Sequence, residues 1–357
     1  MTVEISHFPK ELHASLEALN KDIQFEVVAQ KGQSGYVIFG VNKVLKRKDV
    51  VKIYFWENGD HAEPEILAKL EHTNILKVYH AASVDDDWAY YTTKHCEGGD
   101  LDSVLESRQL GVIEAFDIAM MIASGVSCLH GNSFLHRDLK PENLYLDGNN
   151  AVIGDFGSVA PCDASGYCKT WTRHSLIYRP PEATATNDFY KTSDVYQLGI
   201  LLYQLSGGYF PYLQRDWLND KQKAKFDALT TDQDKEDLAT SLIEKRINSG
   251  RLLDLATLPD YVPNSVRSII RRATRVDRSK RYSTAADLLA AMNNVKGELP
   301  DWRVDGVPVL HRENKRVRIT INGSAIVIEK DVGNGWRRHN AAHVKTFADA
   351  VFAAEGL

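Results

Sequence analysis

Apolar and polar positions change rhythm several times along the chain, and each change predicts an element. Leu12, Leu16 and Leu19 recur at helical spacing, which predicts a short amphipathic lead-in helix within residues 1–22, packed on the strands after it. From Phe25 to Tyr54 the period drops to two. FEVVAQ, GYVIFGVN and residues 49–55 are rich in β-branched and aromatic residues and bend at Gly and Asn, as strands do. GDHAEPEILAKLEH returns to helical spacing, with Leu67 and Leu70 on the buried face and Pro64 in a tolerated first-turn position. Residues 75–95 alternate as two more strands around the acidic turn Asp85-Asp86-Asp87. Beyond Leu101 the chain turns helical: VIEAFDIAMMIASGVSCLHGN is a long buried helix that stops at Gly131-Asn132. A short strand pair comes next, then a long segment without strong periodicity (158–182), then a central apolar helix opened by Asp194. Residues 215–250 are polar and read as exposed helices and loops, before VRSIIRRATRV and TAADLLAAM close the region near Lys296. After residue 299, VRITINGSAIVIEKDVGNGWRRH alternates around two Gly/Asn turns and HVKTFADAVFAAEG reads as a helix. This ββ(β)α piece is too small for a comfortable core of its own and is expected to pack on the helical part.

Composition narrows the class without naming a chemistry. With 357 residues, 43% hydrophobic and 25% charged, the chain fits an ordinary globular protein of two domains plus an appendage, not a disordered one. A net charge of −5 carries no global signature of nucleic-acid binding. Four cysteines are too few for a disulfide framework and point to a reducing compartment. MTVEISHFPKELH lacks the apolar core of a signal peptide, and the run at 195–205 is short and contains Gln197 and Gln204. A soluble, cytoplasmic protein without membrane or nucleic-acid partners is expected.

The chemistry concentrates in HRDLKPENL, residues 136–144. Asp138, Lys140 and Asn143 suit a loop that accepts a hydroxyl proton, neutralises a transferring phosphate and holds a metal ion. Pro141 blocks a regular helix, and Leu139 and Leu144 can anchor the two sides. Upstream, Gly32 and Gly35 lie at a hairpin tip, where backbone N–H groups can approach phosphate oxygens; an ordinary hairpin turn reads the same way. Lys52 shifts that balance, because a lysine among Val50, Val51 and Ile53 is costly without an anion, either phosphates or an acid on the next helix. Glu63 and Glu65 are both candidates there. Gly154-Asp155-Phe156-Gly157 supplies a further oxygen donor for a hard cation.

In this order the motifs of residues 25–296 resemble a eukaryotic-like serine/threonine protein kinase. The resemblance implies an α+β bilobal protein kinase fold: a lead-in (1–24), a small β-rich N-lobe (25–97), a large helical C-lobe (98–298) and a small C-terminal ββα-like appendage (299–357). It selects Glu63 over Glu65, through the His72-Thr-Asn-Ile-Leu that closes the helix, as the partner of Lys52. It places ATP against Gly32, Gly35, Val37 and Val50, with Thr93 at the back of the adenine pocket and the backbone of Lys94, His95 and Cys96 on the base. Asp100 would take a ribose hydroxyl, or cap its helix, or both; Gly98-Gly99 would be the flexible link between lobes. Mg²⁺, with Mn²⁺ as a substitute, would be held by Asn143 and Asp155. Phe156 would pack against Leu67 and His136. Glu182 of Arg179-Pro-Pro-Glu182 would pair with Arg281, and Asp194 would hold the catalytic-loop backbone. Lys140 and Ser175, the latter meeting Asp138 and Lys140, mark the Ser/Thr type.

The activity implied is transfer of the ATP γ-phosphoryl group to Ser/Thr hydroxyls of protein substrates, with autophosphorylation. Arg137 suggests control through Thr170 or Thr172, but the residues that usually complete the phosphate pocket are Ala62 and Ala160, so a modulating effect is expected. Gln30 stands where a glycine is usual, Pro180 where alanine is, and Tyr145 where the adenine pocket has an aliphatic floor. Cys162 and Cys168 are expected to be unpaired surface thiols rather than a redox or zinc pair. Arg312, Lys315, Arg316, Arg318, Arg337 and Arg338 make the appendage locally basic, either as a solvated face or as a dock for a partner or for another part of the chain. Asp100, Asp102 and Glu142 hint at basic residues around the acceptor. A pseudokinase scaffold is disfavoured because Lys52, Asp138, Asn143 and Asp155 are all present; a small-molecule phosphotransferase is disfavoured by Lys140, Glu182 and Arg281.

Overall fold

The computed structural model describes residues 3–30, 35–55, 63–170, 175–313, 315–323, 325–339 and 344–357, without the side chains of Gln30, Glu63, Pro64 and Leu67. In chain order the elements are α1 (Lys10–Asp22), β1 (Ile23–Gln30), β2 (Gly35–Asn42), β3 (Lys48–Phe55), α2 (Glu63–Lys69), β4 (Val78–Ser83), β5 (Trp88–Lys94), α3 (Leu101–Ser107), α4 (Val112–Gly131) and β6 (Phe134–Leu135). Next come β7 (Leu144–Asp147), β8 (Asn150–Ile153), β9 (Ala160–Pro161), β10 (Tyr167–Lys169), α5 (Pro181–Thr186), β11 (Asp188–Tyr190), α6 (Lys191–Leu205), α7 (Asp220–Asp227), α8 (Asp232–Asn248), α9 (Asn264–Ala273) and α10 (Ala285–Lys296). The chain finishes with β12 (Asp301–Asp305), β13 (Val307–Arg312), β14 (Lys315–Asn322), β15 (Ala325–Asp331), β16 (Trp336–Arg338) and α11 (Phe347–Glu355). Contacts divide it into two compact units, Met1–Asp100 with Asn143–Val159, and Leu101–Glu142 with Ala160–Leu357.

The first unit is built on an antiparallel sheet of order β1-β2-β3-β5-β4. Strict alternation gives its central strands two different faces. Ile38, Val51 and Ile53 are buried with Ile23 and Phe25 against Phe8, Leu12 and Leu16 of the N-terminal segment, which fixes α1 to the sheet. Their neighbours Val37, Val50 and Lys52 point the other way and line a cavity. The β7–β8 hairpin belongs to this unit: Asn74 Nδ2 donates to Ala151 O at 2.9 Å, and the Ile75 and Ile153 backbones form a parallel bridge. Gly98-Gly99, expected as a flexible link, is instead stitched to the hairpin, Gly98 N–H donating to Leu146 O at 3.0 Å and Leu146 N–H to Gly99 O at 2.9 Å.

The second unit centres on α4, which packs against α6 and α10. Ile200, Ile243 and Ile247 join Tyr178, Tyr196 and Trp217 in one buried cluster, so α8, read as exposed from its polarity, buries one narrow stripe. The C-terminal residues form a five-stranded meander, β12 to β16, with α11 packed on β14 and β15. The sequence pattern predicts only the later strands; β12 and β13 each bury a single large side chain, Trp302 and Leu310, and Pro308 interrupts the alternation. Trp302 is fully buried, stacked 5.7 Å from the Tyr261 ring, with its Nε1–H donating to Glu355 Oε1 at 2.9 Å. Its backbone passes so close to α4 that a Cβ on Gly111 would lie 2.6 Å from Trp302 O. Among the basic residues of this sheet, Arg316 pairs with Asp331 and Arg318 with Glu329 at 2.8 Å, while Arg312 donates to the Glu355 carbonyl.

Candidate active site

In the first unit a cavity of about 310 Å³ gathers most of the residues expected to bind nucleotide. Val37, Val50, Lys52, Thr93, Lys94, His95, Cys96, Asp100, Tyr145 and Asp155 all line it. Gly35, also expected to bind nucleotide, opens β2 but does not line the cavity, whereas Gly32 and the tip residues Gln33 and Ser34 lie outside the described residues. Thr93 is fixed by its hydroxyl, which donates to Lys77 O at 2.7 Å. His95 spends its N–H on Lys48 O at 3.3 Å. Burial pushes the Cys96 thiol up to about 11, with the Asp147 charge adding to the effect, so this cavity wall is a neutral thiol at pH 7.

Among the described side chains, Lys52 meets an anion in Asp155. Lys52 Nζ lies 3.2 Å from Asp155 Oδ1, both side chains partly exposed at 22% and 32%, which leaves them accessible to a third charged group. Glu63, the expected helix partner, starts α2, but its side chain lies outside the described residues. Phe156 is buried, while the Leu67 side chain expected against it is likewise outside them. Asp155 holds φ at 54°, a region L residues adopt only when the surroundings impose it. Gly154 N–H donates to Asn143 O at 2.9 Å, which brings the two metal-donor candidates to one end of the β7–β8 hairpin. Among the described residues no group of three or more His, Cys, Asp and Glu could hold a metal. A hard cation here would draw its oxygens from Asp155, Asn143 and the phosphates of its nucleotide, which suits Mg²⁺.

In the second unit, residues 136–142 are held from below by α6. The Asp194 carboxylate is fully buried and accepts the N–H groups of His136 and Arg137, each at 2.9 Å. It also meets His130 Nε2 at 2.9 Å, while His130 Nδ1 faces the Ala285 N–H at 3.4 Å. Burial by itself would raise the Asp194 pKa; the His130 hydrogen bond and charge, His136 and the Arg137 N–H outweigh it and hold the carboxyl below its ordinary value.

One turn along α6, Gln197 performs a role that the sequence pattern did not assign. Its Oε1 accepts the Leu139 N–H at 3.0 Å and its Nε2 donates to Arg137 O at 2.9 Å and Tyr178 O at 3.2 Å. Asp138 is thus clamped through both neighbours. The signal was available: an uncharged polar residue three places after Asp194 in an otherwise apolar buried helix needs a partner. Arg137 has φ 71°, an imposed backbone conformation within this loop. Lys140 Nζ stands 3.2 Å from Asp138 Oδ2.

The segment leading to Glu182 is tied down in the same unit. Arg281 spans Glu182 with two bonds of 2.8 Å, and Ser193 Oγ donates to Glu182 Oε1 at 2.7 Å. Ser175 precedes a turn in which its carbonyl accepts the Tyr178 N–H at 3.3 Å. Thr172 lies outside the described residues. Thr170, expected as a phosphorylation site, is buried at 4% exposure, with its N–H on Asn187 O at 3.2 Å. It continues the β10–β11 ribbon, so modifying it requires that ribbon to open. Cys162 and Cys168 are free, but they are not surface thiols: both pack on the cluster of Leu135, Ala183 and Phe189. Burial pushes Cys168 up to about 11 despite the nearby Arg137 charge, which argues against reactivity.

Comparison with known proteins agrees with this arrangement. The protein kinase domain model matches residues 28–292. The serine/threonine-protein kinase PrkC of Bacillus subtilis is 31% identical over 258 residues, covering 69% of this chain and 36% of that protein. The probable serine/threonine-protein kinase CPE1738 of Clostridium perfringens is 26% identical over 238 residues (66% and 31%), and human Nek11, also a serine/threonine-protein kinase, 30% over 220 (56% and 32%). The match thus spans about a third of the length of these relatives. A strand lysine on the aspartate of Asp155-Phe156-Gly157, the loop 136–142 hung from a buried aspartate and the Glu182–Arg281 pair all lie inside the matched stretch. The chain belongs to the protein kinase family.

Proposed function

We infer that this chain transfers the γ-phosphoryl group of ATP to serine or threonine hydroxyls of proteins, itself included. The observation that carries the reading is the Lys52–Asp155 pair, 3.2 Å apart and partly open, in a cavity with apolar walls: a cation and a metal-binding anion placed for a polyphosphate. Bound Mg²⁺-ATP would supply the phosphoryl group and most of the charge neutralisation. Lys52 orients the phosphates, and Asp155 and Asn143 hold the metal. The hinge carbonyl and N–H groups of Lys94 and Cys96 take the base, and Asp100 a ribose hydroxyl. Asp138 accepts the proton of the acceptor hydroxyl, and Lys140, 3.2 Å from it, offsets developing negative charge. The protein contributes positioning, so the orientation of Asp138 by Asp194 and Gln197 is part of the mechanism.

The acceptor is a protein segment with basic residues near the Ser or Thr. Burial pushes the Tyr178 phenol up, and the negative charges of Glu142, Asp102 and Asp138 add to this, which supports an acidic environment in this part of the unit. Glu142 Oε2 is buried without a hydrogen-bond partner. Asp100 is not part of this group; it lines the nucleotide cavity. Four free cysteines support action in the reducing cytoplasm. Transfer of radiolabel from ATP to a Ser/Thr peptide library, wild type against Asp138→Asn, tests the function: equal incorporation by both would overturn it. Indifference of the library to Arg and Lys would remove the substrate preference alone.

A further inference from the structure

The turn between β2 and β3 reads Lys43-Val44-Leu45-Lys46-Arg47, and Lys48 opens β3. Its two aliphatic side chains stand in solvent, Val44 80% and Leu45 61% exposed. The backbone beneath them is nevertheless fully tied. Asn42 Oδ1 accepts the Val44 N–H at 3.1 Å and the Leu45 N–H at 2.8 Å. The Asn42 carbonyl takes the Lys46 N–H at 2.9 Å, and the Asn42 N–H donates to Arg47 O at 2.8 Å. Lys43 fastens the turn to the end of α1, its N–H donating to Asp22 O at 2.7 Å and its Nζ to Asn20 O. Lys46 holds φ at 54°, where Gly or Asn is the ordinary occupant. Polar turn formers would serve this loop at lower cost, so turn geometry and packing leave Val44, Leu45 and Lys46 unexplained. Five cations lie on the turn and its shoulders. Arg47 is committed to Asp49 at 2.6 Å and to the Tyr79 ring at 3.8 Å, and Lys48 meets Glu97 at 2.9 Å. Among the described residues Lys21, Lys43 and Lys46 have no carboxylate partner, and Asp22 is the one carboxylate within 20–22 and 43–48.

We propose that this turn docks the chain on an anionic phospholipid surface, with Val44 and Leu45 entering the acyl boundary and Lys21, Lys43 and Lys46 meeting the headgroup phosphates. The proposal is independent of the phosphotransfer reading and departs from the expectation, drawn from composition, of no membrane partner. An apolar apex between cationic shoulders matches the layering of a bilayer, where long lysine stems reach back to the phosphates while the aliphatic tip goes deeper. Each lysine near an anionic bilayer is worth about fivefold in affinity, and apolar insertion adds to it. A nucleic acid would supply phosphates but no apolar phase, and the turn has no aromatic ring to stack on a base. An acidic protein would need a pocket shaped to this convex tip, whereas lipid closes around it. Neither Val44 nor Leu45 lines the nucleotide cavity, so nucleotide binding is an independent check on variants of the turn.

The test is co-sedimentation of the full chain with vesicles of phosphatidylcholine, alone or with phosphatidylglycerol added. Wild type should bind the anionic vesicles about tenfold or more tightly than the neutral ones, and high salt should weaken that binding. Lys21→Gln with Lys46→Gln should lose about tenfold or more and flatten the salt dependence. Val44→Ser with Leu45→Ser should lose about fivefold or more with Tm and ATP binding as in wild type. Val44→Thr with Leu45→Gln repeats the measurement should the serine pair fail to fold. Leu45→Trp should shift its emission to the blue on anionic vesicles and not on neutral ones. Wild type that stays in solution with anionic vesicles, or a tryptophan that shows no shift, overturns the proposal. Vesicle binding unchanged by the serine pair, with equal retention of both proteins on polyglutamate, would mark a dock for acidic protein surfaces and likewise overturns it.

Discussion

Replacing Arg281 by methionine should destabilise the second unit more than any other single surface-to-core ion-pair deletion in this chain. The guanidinium is fully buried and makes two 2.8 Å bonds to Glu182. It also donates to the carbonyls of Arg275 at 2.6 Å, Thr192 at 2.9 Å and Val276 at 3.2 Å, and lies 4.9 Å from the Tyr196 ring. Methionine fills the volume but leaves a carboxylate at 13% exposure with one hydroxyl donor, Ser193, and three carbonyls short of a donor. Removing one partner of a buried pair costs about 3–5 kcal/mol, and the orphaned carbonyls place this case at the upper end. For a unit of this size that is a fall in Tm of roughly 10 °C or more. Glu182→Leu combined with Arg281→Met removes the stranded charge and should be less damaging than the sum of the two single changes by about 2 kcal/mol. The assay is thermal and urea unfolding of the four proteins, with activity per folded molecule as a second readout. An Arg281→Met protein with unchanged Tm, or a strictly additive double variant, would refute the reasoning.

The same geometry leads to three further outcomes. Gln197→Leu deprives the Leu139 N–H and the carbonyls of Arg137 and Tyr178 of their partner, so kcat should fall more than about tenfold with KM for ATP little changed; an intact kcat would show that the loop holds its own shape. Asp194 has a folded pKa below its ordinary value of 3.8, so it binds a proton more readily unfolded than folded, and the stability it contributes is fully present above that ordinary value and is lost as the pH falls through the folded one. Asp194→Asn should therefore be less stable at neutral pH yet show a flatter acid limb in unfolding measurements; parallel limbs would exclude the linkage. Trp302→Ala should cost about 3–5 kcal/mol by emptying a fully buried site between Tyr261 and Glu355, and equal Tm values in the two proteins would mean that the C-terminal sheet is not anchored there.

How much could be read in advance depended on how local the information is. Residues 136–144, Asp155 and the Glu182–Arg281 pair belong to short runs whose residue types have few uses together. Reading failed where a residue's meaning comes from a distant neighbour. Gln197 was visible only as an interruption of an apolar helix, and its three partners lie 19 to 60 positions away. Thr170 and Cys168 sit in a segment with no periodicity and are buried where it meets residues 187–190. Strands β12 and β13 bury one large apolar side chain each, too few to mark an inward face by alternation.

Helix α4 has a consequence for how the protein is made. Among the described residues it is the one helix long and apolar enough, by length and composition, to cross a membrane. In the finished fold that apolarity is absorbed by α6 and α10, yet α10 ends at Lys296, far downstream of Gly131. At synthesis rates of about 5–20 residues per second, α4 emerges on the order of ten seconds before its last covering helix. During that interval it is an uncovered hydrophobic rod, attractive to chaperones, to membranes and to other nascent chains. Late-arriving α10 closes the core, so truncation before residue 285 should yield an aggregating chain even though Lys52, Asp138, Asn143 and Asp155, the residues proposed for the chemistry, have already been made.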